Sequence, residues 1–264
     1  MTAGDRTLRI ALGEYDTAWH APQASLSRAA VCVQRSAAIG ARLVVLPEMC
    51  TTGFTMEPEE WAEPLDGQSA RTLGALAAKH DVWILAGIAV REGTENRNVA
   101  AVFDPAGTLH ATYAKQRLFA YGNEDEHYDA GTSPLVVDID GVRVAPLICY
   151  DLRFPELFRQ VAAQADCFVV IANWPAARRA HWDALLPARA IENQAYVVGV
   201  NRTGDADGIA YDGGSAAFDP WGAVITQRVA IGSPSVADIS TQRVESIRTK
   251  FPFLSDASLT ARIG

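Results

Sequence analysis

Three side chains able to do chemistry, a carboxylate, an amine and a thiol, each follow an apolar strand-like run. Glu48 follows Leu43–Leu46, Lys115 follows Thr108–Tyr113, and Cys149 follows Val142–Ile148. Strand ends are where α/β enzymes place reactive groups. Each residue alone is more often structural, as a buried cysteine, a surface glutamate or a solvated lysine. Together they combine a nucleophile, a base and a cation, the groups that covalent catalysis with stabilisation of an oxyanion uses.

The surroundings of each residue indicate its role. Desolvation of Glu48 should raise its affinity for protons, which suits a general base. Lys115 would set a positive charge beside a developing oxyanion and favour the thiolate of a nearby cysteine. Pro155 fits the first turn of a helix, so Cys149 is expected on a tight elbow between a strand and that helix.

The order of these motifs resembles the nitrilase superfamily of carbon–nitrogen hydrolases over nearly the whole chain. The resemblance lies in Pro47-Glu48, in Lys115 after a strand, and in Cys149-Tyr-Asp-Leu-Arg-Phe-Pro-Glu. Three further segments are similar to the ω-amidase branch: 122–128 (GNEDEHY), 172–175 (ANWP) and 188–194 (ARAIENQ).

This resemblance implies a Glu–Lys–Cys triad. Cys149 would be the nucleophile, Glu48 the base, and Lys115 the oxyanion stabiliser together with the backbone N–H of Tyr150. The family also carries a second active-site glutamate after the lysine. Glu124 is the match, and Glu126 remains an alternative because the length of this loop varies.

The ω-amidase branch hydrolyses the terminal amide of short dicarboxylate monoamides, such as 2-oxoglutaramate and 2-oxosuccinamate, through a thioester. No cofactor is needed, because thiolate and base supply the nucleophile. The free carboxylate of such a substrate needs a cation, and Arg178 is preferred over Arg179. The alternative for both arginines is that they solvate the start of a helix. Tyr121 and Trp174 are candidate pocket walls.

Tyr150 and Asn173 complete the predicted substrate-binding set. Arg153 and Glu156 are expected to pair and brace the elbow around Cys149. The other three cysteines are predicted to be structural: Cys32, Cys50 and Cys167.

Three other functions compete with the ω-amidase prediction. One is a related amidase or N-carbamoyl hydrolase; nitrile hydrolysis is disfavoured, because nitrilases of the family carry Cys-Trp-Glu where this chain has Cys149-Tyr-Asp. Another is a metal-dependent hydrolase built on 124–127 (EDEH), whose spacing matches no familiar zinc signature. The last is a catalytically silent scaffold.

Composition and charge limit the classes of molecule that the chain is expected to bind. The chain has 264 residues, 49% of them hydrophobic, and a formal net charge of -8. An acidic chain without a Lys/Arg run disfavours nucleic acids and anionic membranes, and leaves a small-molecule substrate. The four cysteines form no C-x-x-C pair and no zinc-ligand spacing. A disulfide framework would be unusual in a chain of this size, which favours a reducing compartment, and no signal peptide or membrane span is visible. We therefore expect a cytoplasmic protein.

The candidate site residues must be positioned by strands and helices, whose patterns alternate along the sequence. These patterns predict an α/β protein, and the resemblance specifies a four-layer αββα sandwich of two mixed β-sheets with outer helices in one domain, 1–264. Two Asp-Pro-x-Gly turns, 104–107 and 219–222, indicate a weak internal duplication, each turn flanked by two strands. A C-terminal extension, 239–264, is expected to pack on a neighbouring subunit of a homodimer or larger homo-oligomer, with Phe251, Phe253 and Leu254 as contacts.

Overall fold

The strands form two sheets that pack face to face and share one core. The structure, a computed structural model, describes residues 4–257. The strands are β1 Thr7–Leu12, β2 Leu43–Val45, β3 Trp83–Glu92, β4 Glu95–Phe103, β5 Leu109–Ala114, β6 Val137–Ile139, β7 Val142–Ile148, β8 Cys167–Ala172, β9 Tyr196–Asn201, β10 Thr203–Ala206, β11 Ile209–Asp212, β12 Ala216–Phe218 and β13 Ser235–Ser240. The helices are α1 Pro22–Ala38, α2 Pro58–Trp61, α3 Gln68–His80, α4 Glu124–His127, α5 Pro155–Arg159, α6 Arg179–Asn193, α7 Thr241–Lys250 and α8 Phe253–Ala257.

The sheets are mixed, and helices cover their outer faces. The first sheet has the order β13-β1-β2-β3-β4-β5 and the second β12-β9-β8-β7-β6. In β8, Val169 and Ile171 join the core between the sheets, whereas Phe168 and Val170 face the outer cluster that includes α5 and α6. Because side chains alternate along a strand, one apolar run serves both layers. Helices α1 and α3 cover the first sheet in the same way, which confirms the predicted αββα sandwich.

The two sheets repeat one pattern. Parallel β1, β2 and β3 are followed by antiparallel β4, and parallel β7, β8 and β9 by antiparallel β12. In both Asp-Pro-x-Gly turns the aspartate Oδ1 accepts two backbone N–H groups, from residues two and four positions later. The topology agrees with the predicted duplication.

The predicted strand after the second turn is wrong. The chain there forms only isolated bridges, at Val224 and Gln227. The N–H of Ala217 donates to the Thr226 hydroxyl at 2.7 Å, so a side chain takes the place of a backbone ladder partner. The next strand, β13, pairs with β1 in the first sheet.

The C-terminal segment packs on its own chain. Val244 and Ile247 of α7 are buried, and Arg248 donates to backbone carbonyls of Ala162 and Gln194. The predicted extension therefore begins inside the first sheet and continues as a docked helix, and its end, 258–264, lies outside the described residues. No helix within 4–257 is both long and apolar enough to cross a membrane.

Candidate active site

A close approach between two strands positions Glu48. The loop after β2 runs along β3, where the N–H of Gly87 donates to the Pro47 carbonyl and the Gly87 carbonyl accepts from Cys50 N–H. A Cβ at position 87 would lie 2.4 Å from the Cα of Glu48, so only glycine allows this contact. The Glu48 side chain is thereby directed into the interior, where it is fully buried.

Glu48, Lys115, Glu124 and Asn98 form what we call the buried charge network. Lys115 Nζ lies 2.9 Å from Glu48 Oε1 and 2.8 Å from Glu124 Oε2. Asn98 Nδ2 donates to one oxygen of each glutamate, at 2.7 and 2.9 Å. The second Glu48 oxygen accepts from the backbone N–H of Asn173 at 2.8 Å. The ammonium is thus shared by two carboxylates away from water, which fixes both its charge and its direction.

Of the two candidate glutamates, Glu124 is the one that contacts Lys115. Glu124 begins α4 and is fully buried, and its Oε2 also accepts from Phe119 N–H at 2.7 Å. Glu126, two residues later, is exposed. One turn of helix therefore directs only Glu124 to Lys115.

Cys149 occupies the expected elbow. It starts a 3₁₀ helix, Cys149–Arg153, directly after β7, with a φ of +47° that a residue other than glycine rarely adopts. Asp151 fixes this turn: its carboxylate accepts from Ile148 N–H, Arg117 N–H and the Tyr113 hydroxyl, at 2.8 to 2.9 Å. Tyr113 and Arg117 flank Lys115, so Asp151 ties the cysteine elbow to the segment that carries the lysine.

The charges set the protonation states. Burial raises the pKa of Glu48, but Lys115 and the hydrogen bonds from Asn173 and Asn98 lower it by more, so the net pKa lies below its ordinary value. This net direction contradicts the expected rise. Burial and the charge of Glu48 raise the pKa of the Cys149 thiol well above its usual range, although Lys115 opposes them. The pKa of Lys115 is raised, because the charges of Glu124 and Glu48 outweigh the effect of burial. The resting site therefore holds a neutral thiol beside an ionised carboxylate.

The predicted substrate-binding residues lie around one cavity of about 550 Å³ that opens at Cys149. Asn173 and Trp174, at the end of β8, lie at the inner side, and the Asn173 carbonyl oxygen is 3.9 Å from Cys149 Sγ. The Tyr150 ring packs on Phe119 at 5.0 Å, and Tyr121 is an exposed rim residue.

Two guanidinium groups, which we call the arginine wall, line this cavity without a carboxylate partner among residues 4–257. Arg178 lies over the ring of Phe119 at 5.2 Å. Arg153 lies over the ring of Trp174 at 4.7 Å and is 3.1 Å from His181 Nδ1. Arg179, in contrast, is neutralised by Asp183 and Asp212. Of the two predicted arginines, Arg178 is the one that faces the cavity.

The predicted Arg153–Glu156 pair is wrong. Phe154 is extended between the 3₁₀ helix and α5, so the two side chains do not share a helix face. Glu156 pairs with Arg117 at 3.4 Å instead, and the brace of the elbow is Asp151. The other three cysteines are buried in the core, as predicted.

The rival metal site does not have a free donor set. Glu124 is bound to the Lys115 ammonium, and Glu126 is exposed. Within the described part of the chain, no group of three or more His, Cys, Asp and Glu side chains is arranged to hold a metal ion.

Sequence reasoning missed three contributors. Asn98 lies in the middle of β4, where a buried asparagine gives no motif. Asp151 belongs to the cysteine motif, but two of its three hydrogen-bond donors, Tyr113 and Arg117, come from a distant segment in and directly after β5. The hairpin β10–β11, turned at Asp207-Gly208, supplies a whole side of the cavity, including Tyr211. Its Asp-Gly turn is a recognised hairpin signal.

Comparisons with known proteins show the family to which the chain belongs. A sequence model of the carbon–nitrogen hydrolase family matches residues 9–249. The chain is 39% identical to omega-amidase YafV of Escherichia coli K12, over 83% of this chain and 85% of that protein. It is 33% identical to 2-oxoglutaramate amidase of Bacillus subtilis, over 92% of this chain and 95% of that protein.

Solved structures extend the likeness to the fold. XC1258 of Xanthomonas campestris, a CN-hydrolase superfamily protein with an arsenic adduct in its active site, superposes with a TM-score of 0.87 at 33% identity, covering 95% of this chain and 97% of that one. An amidase from Nesterenkonia sp. AN1, with acrylamide added to its active-site cysteine, gives 0.80 at 26% identity, covering 92% and 97%.

Proposed function

The chain belongs to the carbon–nitrogen hydrolase family, and on that premise we propose that it is a cysteine-dependent ω-amidase. It hydrolyses the terminal amide of small ω-amido dicarboxylates, such as 2-oxoglutaramate, to the acid and ammonia. The observation that carries the proposal is geometric: Cys149 and Arg178, which has no carboxylate partner among residues 4–257, line one cavity, and behind Cys149 the buried Glu48 is held by Lys115 and by the backbone N–H of Asn173.

Acylation begins when Cys149 Sγ attacks the amide carbonyl and Glu48 takes the thiol proton. Negative charge develops on the carbonyl oxygen, which the Lys115 ammonium and the Tyr150 N–H stabilise; this N–H lies in the first turn of a helix, where amide groups lack intrahelical partners. Protonated Glu48 then gives its proton to the nitrogen, ammonia leaves, and a thioester remains. Covalent catalysis so divides one difficult step into two easier ones.

Deacylation uses the same groups in reverse. Ionised Glu48 takes a proton from water, the hydroxide attacks the thioester, and Lys115 again stabilises the oxyanion. Collapse releases the carboxylic acid, and the proton on Glu48 returns to the Cys149 sulfur. Glu124 keeps Lys115 charged and fixed throughout, because it holds the ammonium with two short contacts, 2.8 and 3.0 Å. These steps need no cofactor.

The arginine wall accounts for the substrate class. An ω-amido acid carries its carboxylate at the end opposite the amide, and a guanidinium binds a carboxylate through two parallel hydrogen bonds. Arg178 is the proposed partner, with Trp174, Tyr121 and Tyr150 as walls and Asn173 beside the reacting sulfur.

The decisive experiment measures ammonia release from 2-oxoglutaramate by the native chain and by Cys149→Ala. We expect the variant to lose at least roughly 10³-fold in kcat, because it lacks the nucleophile. Cys167→Ala, which removes a buried thiol outside the cavity, is the matched control and retains the native kcat. Equal activity of Cys149→Ala, or release of ammonia only from N-carbamoyl amino acids, would overturn the assignment.

We also propose that the chain works in the cytoplasm as a single-domain homodimer or larger assembly. Its cysteines are unpaired, and an apolar patch of Ile191, Trp221 and Phe253 is about half exposed. Phe251 stacks on Trp221 at 4.9 Å, whereas Leu254 packs toward its own core. Light scattering on the native chain and on Phe253→Glu tests the patch; a monomeric mass of the native chain contradicts the proposal.

A further inference from the structure

The hairpin β10–β11 lies outside both sheets and carries two buried residues into the cavity, Ala206 and Tyr211, of which only Tyr211 has a polar side chain. Tyr211 is 6% exposed, although the other three residues of β11 are exposed. It lines the same cavity as Cys149 and Arg178. No step of the proposed reaction uses this side chain.

A buried arginine holds the Tyr211 ring in place. The Arg202 guanidinium lies 4.6 Å from the ring centroid and is fully buried. Its Nη2 donates to Asp16 Oδ1 at 3.1 Å and to the Thr17 carbonyl at 2.7 Å, and its Nε donates to the Thr203 carbonyl. A cation fixed at three points beneath an aromatic face restrains the ring, because the two attract each other.

A second fastening joins the hairpin to the arginine wall. Asp212, the residue after Tyr211, pairs with Arg179 at 3.3 Å, and Arg179 directly follows Arg178. Strand β11 also packs against the 3₁₀ turn Ala176–Arg178. Tyr211 and Arg178 are therefore neighbours on one side of the cavity, and each is held by its own support.

The Tyr211 hydroxyl is free to bind a ligand. It makes no hydrogen bond to any residue from 4 to 257, and it is not among the sealed polar atoms that lack a partner. Burial raises the pKa of Tyr211 to about 12, against the opposing charges of Arg202 and Arg178. The phenol is therefore a donor at neutral pH, and a carboxylate is the acceptor that gains most from it.

We propose that the Tyr211 hydroxyl donates a hydrogen bond to the free carboxylate of the substrate beside Arg178, and so selects ω-amido acids over amides without an acid group. The inference rests on the proposed ω-amidase function. It assigns a role in substrate specificity to the hairpin, which belongs to neither of the two large sheets. The substrate carboxylate would then be bound at two points, by the cation Arg178 and by the neutral donor Tyr211.

Tyr211→Phe tests this contact, because it removes only the oxygen and keeps the ring on Arg202. Steady-state kinetics would be compared for three amides: 2-oxoglutaramate, the monoamide of glutaric acid, and butyramide, which has no acid group. We expect kcat/KM to fall about 10- to 100-fold for both acids, chiefly through KM, and to stay unchanged for butyramide. Tyr196→Phe, which removes a buried phenol oxygen outside the cavity, is the matched control and changes none of the three.

Two results would overturn the inference. An equal loss on all three amides would assign the hydroxyl to the reacting end or to packing. A loss confined to 2-oxoglutaramate would assign it to the 2-oxo group. Failure of the proposed function is distinguishable from both, because the native chain would then release no ammonia from either acid.

Discussion

The buried charge network and the arginine wall differ in whether their charges are already paired within the protein. In the network, Glu48, Lys115 and Glu124 are fully buried, and each charge is bound to another within 3.0 Å. On the wall, Arg153 and Arg178 rest on aromatic rings and have no carboxylate partner in the described part of the chain. The network is complete before a substrate arrives, whereas the wall is completed by one.

This difference separates two kinds of effect. A group whose partners are all supplied by the protein acts on the transition state, so its loss lowers kcat. A group whose partner is a distant part of the substrate contributes binding, so its loss raises KM first. The two regions therefore should separate in kinetics as they do in space.

The largest effect is expected in the network, from Glu48→Gln. The amide keeps the shape of the side chain but cannot take the thiol proton, so kcat should fall about 10³- to 10⁴-fold while KM for 2-oxoglutaramate stays within about threefold. Single-turnover measurements with mass detection of the thioester would locate the loss in acylation. Asn98→Ala, which removes a donor to Glu48 but keeps the base, provides the comparison and should lose far less. A variant in which KM alone changes would remove the distinction between the regions.

The positions of Glu48, Lys115 and Cys149 were largely predictable because strand ends converge. Each residue follows an apolar run; β2 and β5 belong to the first sheet, and β7 of the second sheet ends beside them. The residues that tune them were not predictable in this way. Asn98 and Asp151 act through hydrogen bonds between segments far apart in the chain, and the lowered pKa of Glu48 depends on partners that periodicity does not reveal.

The wall was harder to predict, because partly exposed arginines carry no periodic signal. Arg178 and Arg179 differ only in direction: one faces Phe119, and the other pairs with Asp183 and Asp212. Proximity in sequence suggested the pair Arg153–Glu156, but the extended Phe154 separates the two side chains. Tyr211 lies on β11, whose other three residues are exposed, so its burial depends on Arg202 rather than on an apolar pattern.

A smaller effect, and of the other kind, is expected from Arg178→Met. Methionine keeps the contact with Phe119 and removes the charge, so KM for 2-oxoglutaramate should rise about 10- to 100-fold with kcat nearly constant. Butyramide, which has no acid group, should be hydrolysed as by the native chain. Arg153→Met is the matched variant on the same wall; because Arg153 is also held by His181, it should change KM less. An equal fall in kcat on both substrates would assign Arg178 to the reaction itself.

The smallest effect is expected at Asp151. This residue lies in the 3₁₀ helix that starts at Cys149 and ends at Arg153, and so connects the reactive cysteine with the arginine wall. Burial raises the pKa of Asp151 to about 6 from an ordinary value of 3.8, although its hydrogen bonds oppose the rise. Because the folded value lies above the unfolded one, protonation favours the folded state. This contribution, roughly 3 kcal/mol, is complete below about pH 4 and is lost as pH rises toward 6.

Activity should move in the opposite direction over the same range. When Asp151 is protonated, one of its oxygens becomes a donor and can no longer accept from the N–H and O–H groups that fix the elbow. The elbow is then less well positioned, so kcat should fall a few-fold below about pH 6. The pKa of Glu48 is lowered from its ordinary value of 4.5, so Glu48 titrates at lower pH than Asp151 and does not produce a limb near pH 6. Denaturant unfolding and kcat measured on the same samples from pH 4 to 7 test both curves, and Asp151→Asn should abolish the inflection in each. A native chain whose stability and kcat fall together on acidification would show instead that Asp151 holds the elbow only by keeping the chain folded.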